Sequence, residues 1–132
     1  MKLGYVLIYV DDVEAALEFY QEAFGFEIRL KFEENNLIDY GELETGGAIL
    51  GFASHKLAET NLNVPYQKSS LNDIPFGQEV AFVTNDVSTA FQKAIHAGAI
   101  AIAEPIEKPW GQTVAYLRAK EGTLIELCSP MN

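Results

Sequence analysis

The chain twice switches from one hydrophobic period to another in the same way. Residues 5–10, YVLIYV, form a β-branched and aromatic run, after which Val13, Ala16, Leu17, Tyr20 and Phe24 fall on one face at helical spacing. Farther on, EVAFV gives way to Val87, Ala90, Phe91, Ala94 and Ile95 at the same spacing. Each pattern predicts a strand followed by an amphipathic helix, with the aromatic residues on the stripes belonging to the core. In the first copy Asp11, with Glu14 three residues later, has the form of a capping box, and Gly25 supplies the stop. In the second, Asn85 or Asp86 is the expected cap and Gly98 the stop.

The two copies superpose as sequence. YVLIYVDDVEAALEFYQEA lies over EVAFVTNDVSTAFQKAIHA at a constant offset of 74, matching Val6 with Val80, Asp12 with Asp86, Val13 with Val87, Ala16 with Ala90 and Ala23 with Ala97. Three strand-like runs follow each helix: FEIRLKFEE, LIDYGELE and GAILGFAS, then AIAIAEPIE, QTVAYLRA and TLIELCS, punctuated by Gly, Asn and acidic turn residues. The predicted class is α+β, with two βαβββ modules over residues 1–54 and 79–132. Residues 55–78 carry Pro65, Pro75, Asn61, Asn63 and Asn72 with little periodicity, and read as a connection without elements of its own, a lid or a strap.

Strand parity divides each run between two faces. Val6, Ile8 and Val10, Val80 and Phe82, and Ile125 and Leu127 form the aliphatic sets expected against the helices. Tyr5, Leu7 and Tyr9 fall opposite in the first strand, as do Glu79, Ala81 and Val83 in the fifth and Leu124, Glu126 and Cys128 in the last. Glu79 and Glu126 thus share the face away from the helices. A glutamate within TLIELC is costly if dry and unpaired, so that face is either a solvated surface or a wet cleft with a partner.

Size and charge narrow the function. At 132 residues the chain suits one domain with a real core. LGYVLIYV stops at Asp11 and Asp12, too short for a membrane span or a signal, and the single Cys128 fits a reducing compartment; a cytoplasmic protein is expected. A net charge of −10 disfavours nucleic acid and anionic lipid as partners. It serves solubility, and it would also attract a cationic small molecule.

Three segments, VLIYVDDVEAALEFYQEAFGFEI, VAFVTNDVSTAFQKAIHAGA and WGQTVAYLRAKEGTLIELCSP, resemble the glyoxalase, bleomycin-resistance and extradiol-dioxygenase (vicinal oxygen chelate) superfamily. The resemblance covers nearly the whole chain and implies a single domain, residues 1–132, whose paired modules make curled mixed sheets with helices on the outer face, commonly as a homodimer. AKEG, residues 119–122, departs from the Asp-Pro-containing turn usual in relatives. Metal-dependent relatives carry a ligand on the first and last strand of each module; the resemblance puts those positions at Tyr5, Gly51 (or Leu50, one residue away), Glu79 and Glu126. Gly51 has no side chain and a neutral tyrosine is a weak ligand, so neither metal nor other cofactor is expected. His55, in a loop after a strand end, and His96, on the surface late in the second helix, do not replace the missing ligands.

The expectation is therefore a binding protein without metal rather than a catalyst. Tyr5, Tyr9, Glu79, Trp110, Gln112, Tyr116 and Glu126 are the candidate ligand-binding residues, an aromatic and acidic set suited to a flat or cationic molecule. Tyr116 stands six residues before Gly122, a placement resembling a cleft-facing tyrosine of extradiol dioxygenases. Trp110 heads the WGQ turn and could equally be a packed turn cap. Two alternatives stay open: a lyase, isomerase or dioxygenase-like enzyme using Glu79 and Glu126 as an acid/base pair or partial metal site, and a scaffold defined by its dimer interface.

Overall fold

The structure is a computed structural model in which residues 1–131 are described. Two compact units divide at Lys68 and Ser69, inside the connection. The first contains β1 (Tyr5–Val10), α1 (Val13–Phe24), β2 (Glu27–Glu34), β3 (Leu37–Glu44), β4 (Ile49–Ser54) and α2 (His55–Leu62). The second contains β5 (Glu79–Val83), α3 (Val87–His96), β6 (Ile100–Glu107), β7 (Thr113–Arg118) and β8 (Leu124–Cys128). The strand orders β1-β4-β3-β2 and β5-β8-β7-β6 are the same topology twice: the helix carries the chain to the far edge and a meander returns it to lie parallel to the first strand.

Local chemistry places the helices. Asp12, not Asp11, caps α1, its carboxylate accepting the Ala15 amide at 3.0 Å. The expected capping box does not form, because Glu14 pairs with Lys31 and Asp11 turns toward His55. Gly25 ends α1 in the left-handed region at φ 78°, its amide bonded to Gln21. In the second unit Asp86 is the cap of the two candidates, accepting both the amide and the hydroxyl of Thr89. Gly98, at φ 114°, follows the end of α3.

The connection holds one element that its composition hid. Ser54 closes β4 and accepts the Leu57 amide, starting α2 at once, and Ala58 buries the only apolar contact that two helical turns require. Eight residues ending at Asn63 in the left-handed region make too short a stripe to stand out among asparagines and prolines.

Each sheet buries one face on its own helix. Leu17 and Tyr20 of α1 pack with Leu43 and Phe52, and no side chain fits at Gly41, where Leu17 occupies the space. Phe91 and Ala94 of α3 belong to the second core with Leu117, Ile125 and Leu127. This parity turns Val10, Ile125 and Leu127 inward, as the alternation predicts, and commits the other face of each sheet to the remaining residues.

Candidate functional site

On the C-terminal sheet, Ala81 of β5 and Tyr116 of β7 stand opposite Glu126 of β8, while Glu79 and Arg118 stand opposite Leu124. Because Ile125 and Leu127 point to the core, Glu79, Tyr116, Glu126 and Cys128 share the other face. There Glu126 is close enough to Glu79, Tyr116 and Cys128 to influence the titration of all three, while the Cys128 thiol donates to the Phe82 carbonyl at 3.8 Å. Burial first, then the neighbouring charge of Glu126, raises the Glu79 pKa above the ordinary carboxylate value.

The neighbours respond to the same charge. The proximity of Glu126 first, and burial second, raises the Tyr116 pKa above that of a free phenol. Burial first and Glu126 second push the Cys128 thiol up, so it is a poor nucleophile. Glu79 still exposes part of its side chain, whereas Glu126 and Tyr116 are half-buried. The pair is thus reachable from solvent on the Glu79 side.

The corresponding face of the N-terminal sheet is built differently. Gly51 lies opposite Leu7 as Glu126 lies opposite Ala81, so of the two residues Gly51 holds the site-facing position; Leu50 is buried on the helix side. Opposite Gly51 on β3 stands Glu42, a buried carboxylate that the motif analysis missed. It accepts the Tyr40 hydroxyl at 2.6 Å and pairs with Arg29 Nε at 3.0 Å. Burial, then the bond to Glu42, raises the Tyr40 pKa far above that of a free phenol. The hydroxyl of Tyr40 would lie only 3.3 Å from a Cβ at Gly51, so the space of the absent side chain is already claimed. Parity within LIDYGELE places Tyr40 and Glu42 on one face; the contact with Arg29 is across strands and has no local signature.

The other candidates are placed as follows. Tyr5 is exposed on the face opposite α1, and Tyr9 on the same face packs against Tyr66, ring centroids 5.2 Å apart. Trp110, exposed in the turn between β6 and β7, donates its indole N–H to Gln112, whose amide donates in turn to the Ser129 carbonyl. Gln112 is therefore engaged at both ends in joining the turn to the chain after β8. His96 is exposed, as expected. His55 is not in a loop: it opens α2, bonds the Tyr66 hydroxyl at 2.6 Å through Nδ1 and faces Asp11 at 3.2 Å through Nε2.

The glyoxalase-like domain model matches residues 3–132. The chain belongs to that family. Among functionally curated proteins none matches it. Solved structures of the glyoxalase-like type superpose along nearly its whole length. One is a glyoxalase/bleomycin resistance protein/dioxygenase family enzyme from Burkholderia phytofirmans PsJN, 25% identical, with TM-score 0.78 over 99% of this chain and 100% of the other. TioX from Micromonospora sp. ML1 is 24% identical, with TM-score 0.74 over 99% and 100%. A glyoxalase-related enzyme from Fulvimarina pelagi has TM-score 0.80 at 16% identity, over 98% of this chain and 88% of that one. These last two likenesses concern fold. The glyoxalase-like architecture is thus established independently of the residues on the site-facing sheets.

Proposed function

We propose that this glyoxalase-like protein binds a small cationic molecule, flat or aromatic in part, on the acidic face of β5, β7 and β8, without a metal ion. The observation that carries the reading is the placement of Glu79, Glu126 and Tyr116 on one face of the neighbouring strands β5, β8 and β7. An ammonium or guanidinium group placed against Glu79 and Glu126 donates charge-assisted hydrogen bonds to both carboxylates and offsets the repulsion that raises the Glu79 pKa. Tyr116 supplies an aromatic neighbour, and Trp110 is a further aromatic candidate of the same unit. Homodimer formation and a cytoplasmic setting belong to the same proposal. No helix among the described residues is long and apolar enough to cross a membrane.

The donor set argues against the metal chemistry of some relatives. Of the four positions where the family resemblance implies ligands, Gly51 offers no donor and its space is bounded by Leu7, the Gly41 carbonyl and the Tyr40 hydroxyl. Tyr5 offers a phenol, which leaves the two carboxylates Glu79 and Glu126. Among the described residues no group of three or more His, Cys, Asp or Glu side chains is placed to hold an ion.

The test is a thermal-shift and calorimetric screen of cationic aromatic compounds against neutral compounds of the same shape. A ligand at a hundred times its Kd stabilises by about 2.7 kcal/mol. Cations should bind and their neutral counterparts should not, and Glu79→Gln should abolish the difference. A flat screen, or stoichiometric divalent metal in protein purified without chelator, overturns the reading. A second reading, acid/base catalysis on a carbonyl compound, is favoured by one observation: Glu79 and Glu126 share one face of neighbouring strands, where burial and the charge of Glu126 raise the Glu79 pKa. Deuterium wash-in at carbon next to a carbonyl, lost in Glu79→Gln, would establish it.

A further inference from the structure

We propose that residues 69–78 form a strap that Arg118 latches to the C-terminal unit, and that this strap opens while the sheet of β5 to β8 stays folded. Arg118 is buried, yet among the described residues it pairs with no carboxylate. Its guanidinium instead donates only to main-chain carbonyls. Nε and Nη2 reach Gly122 at 3.0 and 2.9 Å, Nη2 reaches Ser70 at 3.0 Å, and Nη1 reaches Asp73 at 2.9 Å. One side chain of β7 thus ties the turn before β8 to two points of the strap.

The turn is shaped for this contact. Gly122 sits at φ 104°, and a Cβ there would come within 2.6 Å of Ser69 Oγ and 3.0 Å of the Ser70 backbone. The AKEG turn therefore does more than reverse the chain: its glycine lets the strap approach and its carbonyl completes the latch.

Little else holds the strap down. It contains no helix or strand and none of its large apolar residues is buried: Ile74 faces solvent at 87%, and Leu71 and Phe76 keep 38% and 37% of their surface exposed. A segment held by a polar clamp rather than by apolar burial has a low local opening free energy compared with the sheet beneath it. The segment ends where Glu79 begins β5, so its opening frees the chain leading into the acidic pair. Arg118 is in this sense a positioning residue, and the latch does not depend on what the acidic face binds.

Native-state amide exchange of the intact chain tests this. The Asn72 and Asp73 amides, which bond to Ser70, should exchange at least about a hundredfold faster than the slowest amides of the central strand β7, with rates indifferent to low denaturant. Arg118→Gln should speed strap exchange by about a further tenfold, the effect of one charge-assisted hydrogen bond, more than it speeds β7. It should also admit chymotrypsin at Leu71 and Phe76. Equal exchange of strap and β7 amides in the wild type, or equal acceleration of both in the variant, overturns the proposal. Should Arg118→Gln fail to fold, the denaturant dependence in the wild-type chain decides by itself.

Discussion

Gly51 offers the sharpest test of why the N-terminal sheet lacks a site-facing ligand. A methyl group added there meets Leu7 Cδ2 at 2.8 Å, the Gly41 carbonyl at 3.2 Å and the Tyr40 hydroxyl at 3.3 Å. Leu7 is partly exposed and can swing away; the carbonyl belongs to a central strand, and the hydroxyl is fixed by Glu42, so both yield only by a few tenths of an ångström. Overpacking of this degree costs about 1–3 kcal/mol, and replacing glycine returns about 0.4–1 kcal/mol through the unfolded chain. Gly51→Ala should therefore lose about 1–2 kcal/mol, or roughly 3–8 °C in Tm for a chain of this size. Gly51→Glu, which forces a second carboxylate beside buried Glu42, should lose about 3 kcal/mol or more. Thermal and urea unfolding followed by circular dichroism measure both. Gly47→Ala is the control, since a Cβ at Gly47 meets nothing within 4 Å. If Gly51→Ala is as stable as that control, the claim that Tyr40 and Glu42 have taken the ligand's place is wrong.

Further expectations concern the charged groups. Tyr40→Phe strips a hydrogen bond from the buried Glu42 carboxylate and should cost about 1.5–3 kcal/mol; a change below about 0.5 kcal/mol in urea unfolding would mean Arg29 alone satisfies it. Glu79 has a raised pKa in the folded state, so its stabilising contribution is full below its unfolded pKa and is lost as pH rises through the folded value. Glu126→Gln removes the charge and the carboxyl acceptor but leaves the burial, and should flatten that loss in urea midpoints measured from about pH 4 to 8; an unchanged slope would refute the coupling. The His55 pKa is lowered by burial first and by Lys68 next, with Asp11 and Glu59 opposing, so the protein should lose stability as pH falls through the unfolded histidine value of about 6.5. His55→Gln should lack that component, and an acid limb identical to wild type would show that His55 titrates freely.

Much of this architecture is legible along the chain because its causes are local. Strand alternation, helical stripes and the glycines after each helix are short-range signals, and their repetition at a fixed offset determines that one βαβββ unit occurs twice, with Glu79, Tyr116 and Glu126 turned from the core. Two features resist a local reading. Asp11 and Asp12 are chemically the same cap one residue apart, and only the winding of α1 selects Asp12; α2 is hidden because a two-turn helix with one buried alanine has almost no period to read. What tertiary structure alone decided is who meets whom across strands. Arg29 and Tyr40 converge on Glu42 over the gap left by Gly51, Asp11 and Tyr66 meet at His55, and Arg118 finds Ser70 and Asp73 through contacts 45 or more residues apart in the chain. A residue's face follows from its own backbone period, but its partner follows from register, and register is set by the whole sheet.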